Sequence, residues 1–160
     1  MNKTQNEVKI RRASTADAVM IATFNQAMAL ETEGKHLNDA TIQAGVLNLI
    51  QNPAYGFYLV AEVDGVIAAC LLVTYEWSDW RNGLFWWIQS VYVAPSFRRH
   101  GIYKQMYSYV KKLAKQKGEV CGLRLYVDRD NHIAQLTYRN LGMTATNYLL
   151  YEELFSESLP

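Results

Sequence analysis

The stretch Val91-Tyr92-Val93-Ala94-Pro95-Ser96-Phe97-Arg98-Arg99-His100-Gly101-Ile102-Tyr103 decides the fold. A β-branched and aromatic run stops at Pro95. A short basic loop with one glycine follows, and an amphipathic helix begins at once. Such a joint offers free backbone N–H groups at a helix N-terminus beside the fixed charge of Arg98 and Arg99. That combination is a receptor for phosphate or pyrophosphate. Taken alone, the same residues also describe an ordinary strand-loop-helix joint with solvated arginines.

Working outward, the pattern alternates between strands and helices. Val8 to Arg12 reads as a short strand. Ser14 with Asp17 three residues on marks a helix start, and Ile21, Phe24 and Met28 recur at helical spacing. Asn38 or Asp39 caps a second helix with an apolar face of Ile42, Val46, Leu49 and Ile50, ended by Pro53. Phe57 to Val63 and Val66 to Tyr75 form a hairpin around Asp64-Gly65, because Gly accepts the positive φ of a type I′ turn. Asn82-Gly83 turns the chain into a strand over Phe85 to Val93.

The helix after the basic loop runs from Gly101 to Lys117, with Ile102, Met106, Tyr109 and Leu113 on one face. Its lysines between 111 and 117 read as a solvated face that also suits the helix dipole, and Gly118 supplies the C-terminal cap. Leu123 to Val127 reads as a fifth strand, Asn131 to Leu141 as a short helix stopped by Gly142, and Thr146 to Leu154 as a last strand. The order β-α-α-β-β-β-α-β-α-β describes a mixed α/β layer fold. No repeat, low-complexity tract or linker interrupts it, so residues 1–160 read as one domain.

Composition narrows the function. Half of the 160 residues are hydrophobic and 19% are charged, which suits a soluble globular chain with a real core. A net charge of +1 gives no global attraction to nucleic acid or an anionic membrane. Cys70 and Cys121 sit in apolar surroundings without CxxC spacing and read as buried free thiols of a reducing cytosol. Met1 to Glu7 is polar and lacks a signal-peptide core, and Val66 to Val73 is too short to span a bilayer. A cytoplasmic protein is the expectation. His36, His100 and His132 are scattered, so no metal site is expected.

Two motifs give this order of elements a family likeness. Arg98-x-x-Gly101-x-Tyr103 is similar to the Q/R-x-x-G-x-G/A pyrophosphate loop of the GNAT acyl-CoA-dependent N-acyltransferases. Asn131-x-x-Ala134-x-x-x-Tyr138-x-x-x-Gly142 is similar to that family's N-x-x-A-x-x-x-Y-x-x-x-G segment. The element order resembles the family over nearly the whole chain. Tyr103 departs from the preferred Gly or Ala. The resemblance implies a GNAT fold with a single mixed, mostly antiparallel central sheet and helices on both faces. It implies acetyl-CoA as co-substrate, held by Val91, Tyr92 and Val93 at the strand and by Arg98, Arg99, His100, Gly101, Ile102 and Tyr103 at the loop. Val91 and Val93 would bond pantetheine amides, and the amides from Arg99 to Tyr103 would cradle the pyrophosphate. Asn131 would bond the pantetheine region, serve as a plain helix N-cap, or do both.

The resemblance makes Tyr138 the candidate general acid. A phenol with a reference pKa of about 10 keeps its proton at neutral pH and can donate it to a leaving thiolate. Its alternative is a core aromatic. Glu76 is the candidate general base, acting directly or through water. The alternative is a hairpin whose charges are solvated or paired with Arg81. The expected acceptor pocket combines Glu31 and Glu33 of the loop between the first two helices with Trp77, Asp79 and Trp80 of the turn between the third and fourth strands. Carboxylates interleaved with aromatics suit a cationic amine. Strand alternation puts Trp86 and Trp87 on opposite faces, one of them in the core.

The expected activity is acetyl transfer to a small polar or cationic amine in a ternary complex. Acetylation of a protein N-terminus or lysine, and a non-catalytic acyl-CoA sensor, are the alternatives. The apolar C-terminal strand, if it lies at a sheet edge, is compatible with a homodimer.

Overall fold

The structure is a computed structural model and describes residues 7–155. Most of the polar N-terminal stretch read above lies outside the described residues. The chain divides into two compact units, Met1–Tyr126 and Val127–Pro160.

The first unit is built on a five-stranded sheet in the order β1-β2-β3-β4-β5. Its strands are β1 (Val8–Arg12), β2 (Gly56–Val63), β3 (Val66–Ser78), β4 (Gly83–Val93) and β5 (Val120–Arg124). The first four pair antiparallel, and β5 joins β4 in parallel. Its helices are α1 (Ala18–Glu33), α2 (Asp39–Gln51) and α3 (Ile102–Lys117).

Local chemistry explains most of these elements. Asp64 and Gly65 take φ of 51° and 77°, and Val63 pairs with Val66 across them. This is the two-residue turn that a type I′ pair favours. Asn38 Oδ1 accepts the Thr41 N–H at 3.0 Å and starts α2. Gly118, at φ 71°, ends α3. Ser14 N–H donates to the Asp17 carboxylate at 2.7 Å, fixing the entry to α1.

The sheet is covered on both faces. Tyr58, Val60, Cys70, Leu72 and Tyr92 share one face, on which Ile21, Ala22 and Phe24 of α1 and Val46 of α2 close. Leu59, Leu71 and Val73 alternate to the other face. There α3 packs across the strands. Burial on both sides explains why β2 and β3 read as continuous apolar runs. Within α3 the buried residues are Ile102, Met106, Tyr107, Val110 and Ala114. Tyr109 and Leu113 are half-buried at the margin of this stripe rather than at its centre.

Two further features differ from the sequence expectation. The fifth strand is Val120–Arg124, three residues earlier than the apolar run predicted. Its position is set by β4: the Leu84 N–H donates to Glu119 O at 2.8 Å, and Phe85 pairs with Gly122. A Cβ on Gly122 would lie 2.6 Å from the Phe85 ring, so the ring needs a glycine beneath it. Cys121 is exposed, because this edge strand is covered less than the centre of the sheet.

The second unit contains α4 (His132–Asn140). Asn131 Oδ1 caps it by accepting the Ala134 N–H at 3.0 Å. The Met143 N–H returns to Tyr138 O at 3.0 Å as the helix ends, and Gly142 takes φ 91°. Residues 146–154 form no strand and are exposed, contrary to the sequence reading. The β-propensity of Tyr and Leu expresses packing on a sheet, and among the described residues this segment has no ladder partner.

The strongest polar junction of the first unit ties β1, α1 and β2 together. Arg11 forks onto both Asp17 oxygens at 2.8 and 2.9 Å. It also reaches Glu62 Oε1 at 2.6 Å. The Arg11 guanidinium, then the Ser14 backbone and hydroxyl, hold the buried Asp17 carboxyl at about 2, below its ordinary 3.8, against the opposing cost of burial. A depressed carboxyl contributes stability that is fully present above its unfolded value and is lost as pH falls through its folded value. Asp17→Asn should therefore cost about 2 kcal/mol at pH 7 in urea unfolding. The gap to wild type should narrow as pH falls from about 4 towards about 2. A gap independent of pH over that window would show that Asp17 does not act as a paired carboxylate.

Candidate functional site

The ladder between β4 and β5 stops at Trp87↔Arg124, whereas β4 runs on to Val93. From Gln89 to Val93 the strand is therefore not paired to β5, and one backbone edge is open to an extended ligand. The same region carries an irregularity. β3 and β4 shift register after Cys70↔Tyr92, and Ser90 takes φ 48°. A bulge of this kind bends a strand and re-aims its backbone groups.

Directly beyond Val93 come one 3-10 turn, Pro95–Phe97, and then the basic loop. Arg99 and Gly101 both have positive φ, 65° and 74°. Left-handed residues placed this way turn successive N–H groups into a concave anion receptor. Gly101 is also the N-cap of α3, and no side chain caps that end. The first-turn amides of a sixteen-residue helix thus lie next to the loop. Open space surrounds the Gly101 Cα, where an added Cβ would meet nothing within 4 Å. The residues present therefore fit an extended arm ending in a pyrophosphate.

The predicted cofactor residues take different parts in this geometry. Arg99, His100 and Gly101 are exposed in the loop, and Val91 and Val93 are half-buried on the open strand. Tyr92 and Ile102 have buried side chains, so only their backbones face a ligand here. Tyr103 is half-buried, its ring 6.4 Å from that of Tyr107. Arg98 is turned back. Its Nε donates to Val93 O at 2.8 Å, and its Nη2 donates to Glu31 Oε2 at 2.8 Å.

On the sheet face beyond α1, a polar floor continues along β3, β4 and β5. Gln89 Nε2 donates to Thr74 Oγ1 at 2.6 Å. Glu76 accepts from Trp87 Nε1 at 3.1 Å, and its two oxygens pair with Arg124 Nη1. The Arg124 guanidinium also covers the Phe85 ring at 3.6 Å. Arg124 was missed in the sequence reading, because its partner Glu76 lies 48 residues away and no motif marks it. Trp86 is buried, and Trp87 is the half-buried member of the pair.

Among the expected acceptor residues, Trp77 and Trp80 are exposed. Asp79 Oδ1 accepts the Trp80 backbone N–H at 2.9 Å. Glu33 pairs with Lys35 at 2.8 Å on the surface. Glu31 is committed to Arg98 and to Tyr92, whose hydroxyl donates to Oε1 at 2.9 Å. In the second unit Tyr138 is half-buried, and burial raises its phenol above the ordinary value. Among the described residues no three His, Cys, Asp or Glu gather as a metal requires. No helix there is long and apolar enough to cross a membrane.

The buried Cys70 does not suit a covalent mechanism. Burial pushes Cys70 up to about 12, and Cys121 Sγ donates to Leu84 O at 3.3 Å. One equivalent of a small thiol reagent should react with the native protein at pH 8 and two after unfolding. Two fast equivalents in the native state would contradict the burial of Cys70.

A family model described as the Acetyltransferase (GNAT) family matches residues 21–143. No curated protein matches. Among solved structures, a possible acetyltransferase from Clostridium difficile 630 is 41% identical with a TM-score of 0.88, covering 94% of this chain and 99% of that one. A predicted acetyltransferase from Clostridium acetobutylicum, solved with acetyl-CoA, is 19% identical with a TM-score of 0.75 and coverage of 92% and 96%. The aminoglycoside N-acetyltransferase AAC(6′)-Iy, solved with CoA, is 17% identical with a TM-score of 0.75 and coverage of 98% and 100%. The last two likenesses carry the fold alone.

Proposed function

Because the chain belongs to the GNAT acetyltransferase family, we propose that it transfers the acetyl group of acetyl-CoA to a primary amine of a small polar or cationic molecule. The observation that carries this reading is the open edge of β4 running directly into the left-handed loop and uncapped start of α3. The donor supplies an activated thioester. The chain acts as one domain, and its free thiols support a reducing, cytoplasmic setting.

Each residue then has a task. Val91 and Val93 hold the pantetheine arm through their backbones, with Asn131 assisting. The amides from Arg99 to Tyr103 hold the pyrophosphate, helped by the charge of Arg99 and an added donor from His100. An amine is mostly protonated at neutral pH and must lose a proton before it attacks. Glu76 takes that proton, directly or through water. Its oxygens retain lone pairs beside the bonds from Arg124 and Trp87. Tyr138, whose raised phenol keeps its proton, donates it to the departing sulfur. Trp77, Trp80, Asp79 and Glu33 offer ring faces and carboxylates to a cationic acceptor. AAC(6′)-Iy, an aminoglycoside N-acetyltransferase on the same fold, supports a small amine as acceptor.

Thiol release from acetyl-CoA across a panel of small amines, polyamines and peptides tests the assignment. Small amines should give the highest kcat/KM. Tyr138→Phe should lower kcat by about ten-fold or more while acetyl-CoA affinity is kept. Glu76→Gln should lower kcat/KM at pH 7, with the loss shrinking towards pH 9 as free amine accumulates. Turnover confined to peptides would overturn the acceptor class. No turnover with any amine would favour a binding role, and an unchanged kcat in Tyr138→Phe would remove Tyr138 from the chemistry.

A further inference from the structure

The side chain of Arg98 opens a family-like motif but folds away from the loop's free amides. It closes a ring instead. Its Nε bonds the carbonyl of Val93, the last residue of β4, at 2.8 Å. The four residues Ala94 to Phe97 are thereby fastened at both ends. Its Nη2 bonds Glu31 at 2.8 Å, and the other Glu31 oxygen takes the Tyr92 hydroxyl at 2.9 Å. The guanidinium carbon lies 5.3 Å from the centre of the Tyr92 ring. Arg98 of the loop and Tyr92 near the end of β4 therefore meet at one carboxylate in the last turn of α1.

A lone ion pair at this exposure adds little to global stability. Its value here is local. The planar fork of Arg fixes two acceptors at once, and each acceptor belongs to an element already held by the core. Tyr92 and Phe24 pack at 5.2 Å beneath it, so Glu31 is anchored from below. Arg98, then the Tyr92 hydroxyl, keep the Glu31 carboxyl below its ordinary value.

We propose that Glu31 and Arg98 are positioning residues that hold the loop from Ala94 to Gly101 in its anion-binding shape. In this role Glu31 serves the donor side rather than pairing with the acceptor amine. The proposal rests on the reading of that loop as the pyrophosphate site. A fixed loop binds more tightly because its ordering is already complete before the ligand arrives.

Calorimetric titration of CoA into wild type, Glu31→Ala, Arg98→Ala and the double variant gives the test, alongside hydrogen exchange of residues 94–103 without ligand. Each single variant should weaken CoA by about ten-fold, and the double variant by no more than either single one, because both remove the same clamp. Exchange in the loop should rise in all three while the melting temperature changes little. Should Glu31→Ala lower the melting temperature strongly, Glu31→Gln replaces it in the same comparison. Arg98 acting directly on the phosphates predicts a different pattern. Glu31→Ala would then leave affinity unchanged or tighten it, since a guanidinium is released. That pattern, additive losses of about a hundred-fold, or unchanged loop exchange would overturn the proposal. Wild type that fails to bind CoA would refute the pyrophosphate reading, and the exchange data would still decide whether the clamp exists.

Discussion

The structure depends on β4 and β5 separating after Trp87↔Arg124. Up to that point β4 is an interior strand with both edges paired. Beyond it, one edge of the same strand is released while its side chains stay anchored in the core by Tyr92. Two features produce the separation. The parallel partner is only five residues long, and the Ser90 bulge re-aims the strand just where that partner ends. An open edge next to a helix start is a receptor for an elongated molecule with an anionic end. Neither half would specify that ligand alone.

The polar groups around this edge fall into two sets with different tasks. Arg98 and Tyr92 both donate to Glu31, and Arg11 donates to both Asp17 and Glu62 at the other end of α1. Both ends of one helix are thus fastened to the sheet by a forked arginine. Arg99, His100 and the amides of the loop are left to a ligand. The Glu76–Arg124 pair resembles the first set in geometry but is partly exposed, with the exposed Trp77 and Trp80 nearby in sequence. A carboxylate in that position is both held and accessible.

Much of this was legible because it is local. Asp64-Gly65, Asn38, Gly118 and the Ser14–Asp17 start are short-range signals, and each does what its chemistry predicts. The left-handed loop before α3 was legible as a strand-loop-helix joint for the same reason: proline, basic residues and glycine lie within one short stretch. The misses are non-local. The start of β5 is set by Leu84 and Phe85, and its apolar run alone pointed three residues too far on. The exposed segment 146–154 has strand-forming residues, but propensity does not supply a partner. Glu31 looked like a free carboxylate because Arg98 is 67 residues distant. The positive φ of Ser90 has no residue signature, since serine is not a residue that seeks that region.

Titration calorimetry with acetyl-CoA and CoA, with NADH as control, tests the central claim most directly. Acetyl-CoA and CoA should both bind with heat, NADH should not, and Gly101→Asp should abolish binding. Aspartate would strain a residue at φ 74° and bring a negative charge to the anion receptor. Wild type that binds neither acetyl-CoA nor CoA, or Gly101→Asp that binds them undiminished, would contradict the assignment of the β4–α3 joint as the donor site.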